Sequence, residues 1–138
     1  MILESGKRGL KKGIFTLWRL TKIIVPVYFF VTFLRLSGIL NIISIWFGPV
    51  MGILGLPGEA SIVLVLGNCI NLIAAIGAMA SLSLTVKQAT ILAVMLSFSH
   101  NLFVESAVAK RTGVSLLMVI LIRLSLAIIS GFVVNIVL

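Results

Sequence analysis

The sequence predicts an all-α integral membrane protein, and three observations carry that reading. Hydrophobic residues make up 61% of the 138 positions, only 10% are charged, and the mean hydropathy is +1.31. A soluble domain keeps roughly a quarter of its residues charged to cover its surface. Uncharged runs of 23 residues between Arg35 and Glu59, and of 27 between Glu59 and Lys87, then set the class. A helix needs roughly 20 apolar residues to cross a bilayer core. The net charge of +8 is also polarised. Lys7, Arg8, Lys11, Lys12, Arg19, Lys22 and Arg35 face only Glu4 in the first 35 positions, while Lys87, Lys110, Arg111 and Arg123 face Glu59 and Glu105 in the rest. Basic residues beside a first apolar segment are retained on the cytoplasmic side, so a multi-pass protein of the cell membrane with a cytoplasmic N-terminus is expected. The basic arm runs directly into membrane sequence, so anionic headgroups account for it and nucleic acid is not expected as a partner.

Residues 1–22 form the first unit, a basic amphipathic interfacial segment, and residues 23–138 the helical membrane domain. Within 10–22, Leu10, Ile14 and Leu17 share one helical face with Trp18 and Leu20 on its flanks, and Lys12, Arg19 and Lys22 gather on the other. Such a helix lies in the headgroup layer. No A-x-A-like cleavage site follows, so the segment is expected to be retained.

The apolar stretch Ile23–Leu34 holds only 12 residues before Arg35, and Ser37-Gly38 interrupts it. With Ile39–Leu56 it reads either as a re-entrant hairpin of two short helices or as one span with Arg35 near its outer end. Gly55-Leu56-Pro57-Gly58-Glu59 is a turn, with Glu59 in the first turn of the next helix, where the helix dipole favours an anion. Ala60–Leu84 is long enough to span, and Gly67, Asn68 and Asn71 mark where it would unwind. Gln88–Phe98 is interrupted by Ser97-Phe98-Ser99-His100-Asn101. Positive-inside bias would set Lys87, Lys110 and Arg111 on one side, making 88–109 a second re-entrant hairpin with its tip near His100. Val114–Leu138 is the last span.

Polar groups at membrane depth need partners. Asn68 and Asn71 are spaced i, i+3 and suit either interhelical hydrogen bonds or a polar ligand. Ser97, Asn101 and Glu105 are spaced i, i+4, i+8, with His100 beside them, and suit either a structural network or a solute- or ion-lining face. Arg123 demands a counter-ion, and Glu105 and Glu59 are the acidic candidates. The two clusters are expected to line one polar cavity. The single His100 cannot build an H-E-x-x-H zinc site, and neither a nucleophile elbow nor a P-loop occurs, so no catalytic residue, metal or cofactor is expected. Cys69 lies in mid-membrane sequence and implies no disulfide. Homo-oligomerisation is expected from the polar faces, with the Gly/Ala residues of 74–80 as a close-approach interface.

From Pro49 onward, about two-thirds of the chain, the sequence resembles the nucleoside recognition, or gate, family of prokaryotic membrane proteins. That family includes spore maturation proteins A and B and the gate segments of the bacterial ferrous-iron transporter. The residues that carry the resemblance are Gly55-Leu56-Pro57-Gly58-Glu59-Ala60 opening a helix with Asn68, then Ser99-His100-Asn101-Leu102-Phe103-Val104-Glu105-Ser106. Lys110-Arg111-Thr112-Gly113-Val114-Ser115 follow, before a last helix with Arg123. The resemblance implies a fold similar to one repeat of the concentrative nucleoside transporters: an interfacial helix, a re-entrant hairpin, a broken helix and further spans. It implies a polar site at the broken helix, on Asn68–Asn71 and the 97–105 stripe, and hence either a transporter-type protein binding a nucleoside-like solute or ion, or a non-transporting membrane module that assembles with partners.

Overall fold

The computed structural model describes residues 2–138, and every regular element among them is helical. Helix α1 (Ile2–Leu36) is continuous for 35 residues, about 52 Å at 1.5 Å per residue. The expected boundary after Lys22 is not a break in the helix. Pro26 removes one backbone donor and Thr21, Ile23, Ile24, Val25 and Val27 are β-branched, yet the helix continues through this stretch. A corner at Ser37-Gly38 leads into α2 (Ile39–Ile53).

Helix α2 closes by a paired-bond cap. The Leu56 N–H donates to the Met51 carbonyl at 3.0 Å and the Gly55 N–H to Gly52 at 3.0 Å, with Gly55 at φ 69°, which a residue with a side chain adopts at a cost. Pro57 and a 3-10 turn (Gly58–Ala60) then redirect the chain, and the next helix leaves at 93° to α2.

Helices α3 (Ser61–Cys69) and α4 (Leu72–Ser81) form the hairpin of the fold. In a straight helix positions 67 and 75 would lie roughly 12 Å apart. Here a β-carbon placed on Gly67 would sit 3.1 Å from Ala75 Cβ and 2.5 Å from Leu96 Cδ2. The chain therefore folds back at Ile70-Asn71. The 60–84 segment does not span as expected, because the polar pair marks a full reversal and not a local unwinding. The Gly/Ala stripe of α4 is also used within the chain: Ala74, Ala75 and Ala78 are fully buried, and Gly77 packs on Ile24 and Val27 of α1. That stripe is not free to form an interface between protomers.

Helices α5 (Val86–Ser99) and α6 (Leu102–Lys110) run on from each other and make one interrupted rod of 25 residues, long and apolar enough to cross a membrane. A capping box opens it, with Thr85 Oγ1 accepting from the Gln88 N–H and Gln88 Oε1 from the Thr85 N–H. Both halves pack along α7 (Leu116–Val137), which returns antiparallel to them. Segment 88–109 is therefore not a hairpin, and Lys87 and Arg111 stand at opposite ends of a rod rather than on one side. By length and composition α1 and α7 also qualify as spans, and the bent pair 39–69 is a fourth candidate.

The outer faces carry apolar side chains such as Leu117, Ile122, Ile129 and Phe132, all largely exposed, while small residues and Leu92, Met95 and Leu96 fill the interior. This distribution suits lipid. Three basic side chains are satisfied by helix ends. Arg35 donates to the Ser81 carbonyl at the end of α4, Lys87 Nζ to Asn135 at the end of α7, and Arg123 to Phe98 and His100 at the end of α5. Each places a cation on the partial negative charge of unpaired terminal carbonyls.

Candidate functional site

The two sequence clusters meet where the hairpin tip touches the broken rod. The Asn101 N–H donates to the Gly67 carbonyl at 3.0 Å, a bond open to Asn101 because it adopts a left-handed conformation, φ 50°. Asparagine tolerates that region better than most residues. The same geometry breaks the expected stripe of Ser97, Asn101 and Glu105, since a helical spacing cannot be carried across a residue outside the helix.

Of the expected residues, His100, Glu105 and Arg123 form one cluster. Arg123 Nη2 lies 2.6 Å from Glu105 Oε2 and 3.0 Å from the His100 carbonyl, and Nε donates to the Phe98 carbonyl at 2.8 Å. His100 Nε2 lies 3.4 Å from Glu105 Oε1, and its Nδ1 lies 2.8 Å from the Leu96 carbonyl. Arg123 thus ties the last turn of α5 to the first turn of α6 and holds the break from the outside. Between the two acidic candidates for its counter-ion, Arg123 takes Glu105; Glu59 forms no ion pair among the described residues and stands half-buried in the 3-10 turn.

Asn68 and Asn71 have different roles. Asn71 Oδ1 accepts from the Ala74 N–H at 2.8 Å and caps α4, which is the structural use. Asn68 Oδ1 is buried and has no hydrogen-bond partner among the described residues. Ser97 does not join them: its hydroxyl bonds its own helix at the Val94 carbonyl, and it opens onto a shallow groove beside Met79, Val86 and Ala93. A second concavity, about 760 Å³, runs between Lys7 and Trp18 of α1; a single helix lines it and cannot enclose a solute.

Sequence reasoning missed Ser106, fully buried on α6 with an unpartnered hydroxyl, and Ser61 at the start of α3 with the same property. Ser106 follows Leu102 by one turn on the same buried face, a spacing visible in the sequence. The Gly67 and Leu96 carbonyls carry no sequence signal, because any residue supplies a carbonyl.

The ends of α3 and α5 and the His100–Glu105–Arg123 cluster meet at one level of the apolar bundle, and the unpartnered amide oxygen belongs to Asn68, the residue after Gly67. The family model Gate, described as nucleoside recognition, matches residues 17–137. The chain belongs to the Gate family. The match begins inside α1 and takes in the hairpin, the broken rod and α7, so these polar groups lie within the Gate region. An "Uncharacterized membrane protein YvoD" of Bacillus subtilis (strain 168) is 45% identical over 129 residues, which cover 94% of this chain and 41% of the relative. The Gate chain therefore spans about two-fifths of the length of the curated relative it matches. No solved structure matches it.

Proposed function

We propose that this Gate protein is a transporter-type membrane module that binds a small polar solute, nucleoside-like, or an ion where the α3–α4 hairpin tip meets the α5–α6 break. The observation that supports this best is Asn68 Oδ1, buried without a partner on the residue that follows Gly67, whose carbonyl takes the Asn101 N–H and joins the two breaks. A buried acceptor left unpaired costs about 1–3 kcal/mol, and a ligand N–H, O–H or cation would remove that cost. Broken helices place such backbone and side-chain groups at the binding depth of many transporters. No bond-making chemistry is assigned to the site.

In this reading the protein works in the cell membrane with its N-terminus in the cytoplasm. The Lys7–Lys22 stripe of α1 meets anionic headgroups, and copies of the chain associate. Glu105, 45% exposed in the lone chain, needs cover in hydrocarbon, which a second protomer would supply.

The test is a thermal-shift screen of the purified chain in nanodiscs with nucleosides, nucleobases and monovalent and divalent cations, on wild type and Asn68→Leu. A bound ligand stabilises by RT ln(1 + [L]/Kd). Stabilisation by one class, absent in a folded Asn68→Leu, is the expected result. A folded wild type that responds to no class overturns the solute reading and favours an assembly module. The observation behind that second reading is that Arg123 binds two backbone carbonyls as well as Glu105, as a purely structural staple would.

A further inference from the structure

The two ring nitrogens of His100 are held by different neighbours, and together they fix where its protons are. Nδ1 lies 2.8 Å from the Leu96 carbonyl oxygen. A carbonyl only accepts, so this contact puts a proton on Nδ1. Nε2 then faces Glu105 Oε1 at 3.4 Å. In a neutral ring that carries its proton on Nδ1, Nε2 presents a lone pair 3.4 Å from a carboxylate oxygen that also has only lone pairs to offer. One additional proton turns that repulsion into an imidazolium–carboxylate bond. The other carboxylate oxygen, Oε2, is already occupied by Arg123, so the added proton belongs on the histidine side.

We propose that His100 and Glu105 form a proton-binding site at the α5–α6 break, with the proton held on Nε2 against Oε1. The charged groups that face it are few. Helix α7 contributes Arg123, and α3, the other helix packed on this region, contributes Cys69 as its one titratable side chain. Lys87 and Lys110 stand at the far ends of α5 and α6. His100 and Glu105 side chains remain 29% and 45% exposed in the lone chain, so neither is sealed inside the protein. With the proton in place, Glu105 bridges His100 and Arg123 and closes the break. Without it, Glu105 keeps Arg123 alone, and the next residue after the ring, Asn101, is the one whose N–H holds the hairpin tip at Gly67. Proton release therefore loosens the hairpin tip. The site stands apart from the solute reading above, since it needs no ligand other than the proton.

His100 is the single histidine of the chain, which makes it a native reporter. The full chain, in nanodiscs and labelled with ¹⁵N-histidine and ¹³C-glutamate, is titrated from about pH 8 to about pH 5, the interval in which histidine changes charge. The expected spectrum moves from the neutral Nδ1–H tautomer to imidazolium while the Glu105 carboxyl keeps the ¹³C shift of a carboxylate. A neutral Nε2–H tautomer at the alkaline end overturns the proposal, because Leu96 would then not hold the ring. In parallel, hydrogen exchange of the Asn101 N–H, the group that holds Gly67, is measured at each pH relative to its intrinsic exchange rate. Local opening should raise the normalised wild-type rate about twofold or more as the ring loses its proton. In Glu105→Gln the rate should be flat with pH, since a carboxamide N–H donates to Nε2 with no added proton. A flat wild-type rate, or a pH response that persists in Glu105→Gln, overturns the coupling to the hairpin. The wild-type spectrum decides the proton site even if the variant fails to fold.

Discussion

Replacing Arg123 by leucine tests whether the α5–α6 break is held from α7. The guanidinium makes three contacts that leucine cannot: to the carbonyls of Phe98 and His100, and to Glu105. A hydrogen bond from a charged donor contributes about 1.5–3 kcal/mol when well buried and about 1 kcal/mol in ordinary settings. Arg123 is 17% exposed but Glu105 is 45% exposed, so solvent screening reduces the ion-pair share to about 1 kcal/mol or less. Two carbonyl caps at about 1 kcal/mol each and the reduced pair give a loss of roughly 2–3 kcal/mol. At roughly 3 °C per kcal/mol for a chain of this size, Tm should fall by roughly 6–9 °C. Arg123→Lys should lose about half as much, because an ammonium keeps the charge but cannot reach both carbonyls and the carboxylate with one planar fork. The assay is thermal unfolding in detergent or nanodiscs, read by circular dichroism. A fall of under about 2 °C in Arg123→Leu would refute the reasoning, since even one lost carbonyl cap exceeds it.

Three further outcomes follow from the same geometry. Asn71→Ala removes the N-cap of α4 and should cost about 1 kcal/mol, read as a Tm decrease of roughly 3 °C without loss of helical signal. Gly67→Leu pushes a side chain into Leu96 and Ala75 at the hairpin contact and should destabilise by about 1–3 kcal/mol, whereas Gly13→Leu on exposed α1, where an added Cβ meets open space, should leave Tm within about 2 °C. Native mass measurement in nanodiscs should find dimers or larger species; a strictly monomeric folded protein removes oligomerisation from the account.

Much of the fold is legible in the sequence, but the direction of the chain at each break is not. Every interruption marked by glycine, proline or paired polar residues is present in the structure: Ser37-Gly38, Gly55–Glu59, Ile70-Asn71 beside the marked asparagines, and His100-Asn101. Composition records that a helix stops and says nothing about where it goes next. At 70–71 the next helix is capped by its own Asn71 and free to turn back onto Gly67 and Ala75. At 100–101 the freed carbonyls are taken by Arg123 from a helix lying alongside both halves, so the rod continues. That difference depends on a residue more than 20 positions away. The same reason explains the site. Glu105 and Arg123 are legible as charges that must pair in lipid, and His100 and Asn68 as polar groups at depth. Ser97 was misplaced because its spacing to Glu105 runs across a residue in a left-handed conformation. The backbone partners at Gly67 and Leu96 leave no trace in residue type.

The account rests on the 61–81 segment entering and leaving the membrane on one side, so that its tip meets the broken rod. Single cysteines at Glu59, Ser83, Lys87 and Arg111, in a chain with Cys69→Ser, can be labelled in sealed vesicles with a maleimide that does not cross the bilayer. Positions 59, 83 and 87 should label from the same side and position 111 from the opposite side. Labelling of 59 and 83 from opposite sides would show that the segment crosses, and would contradict the hairpin and the site built on it.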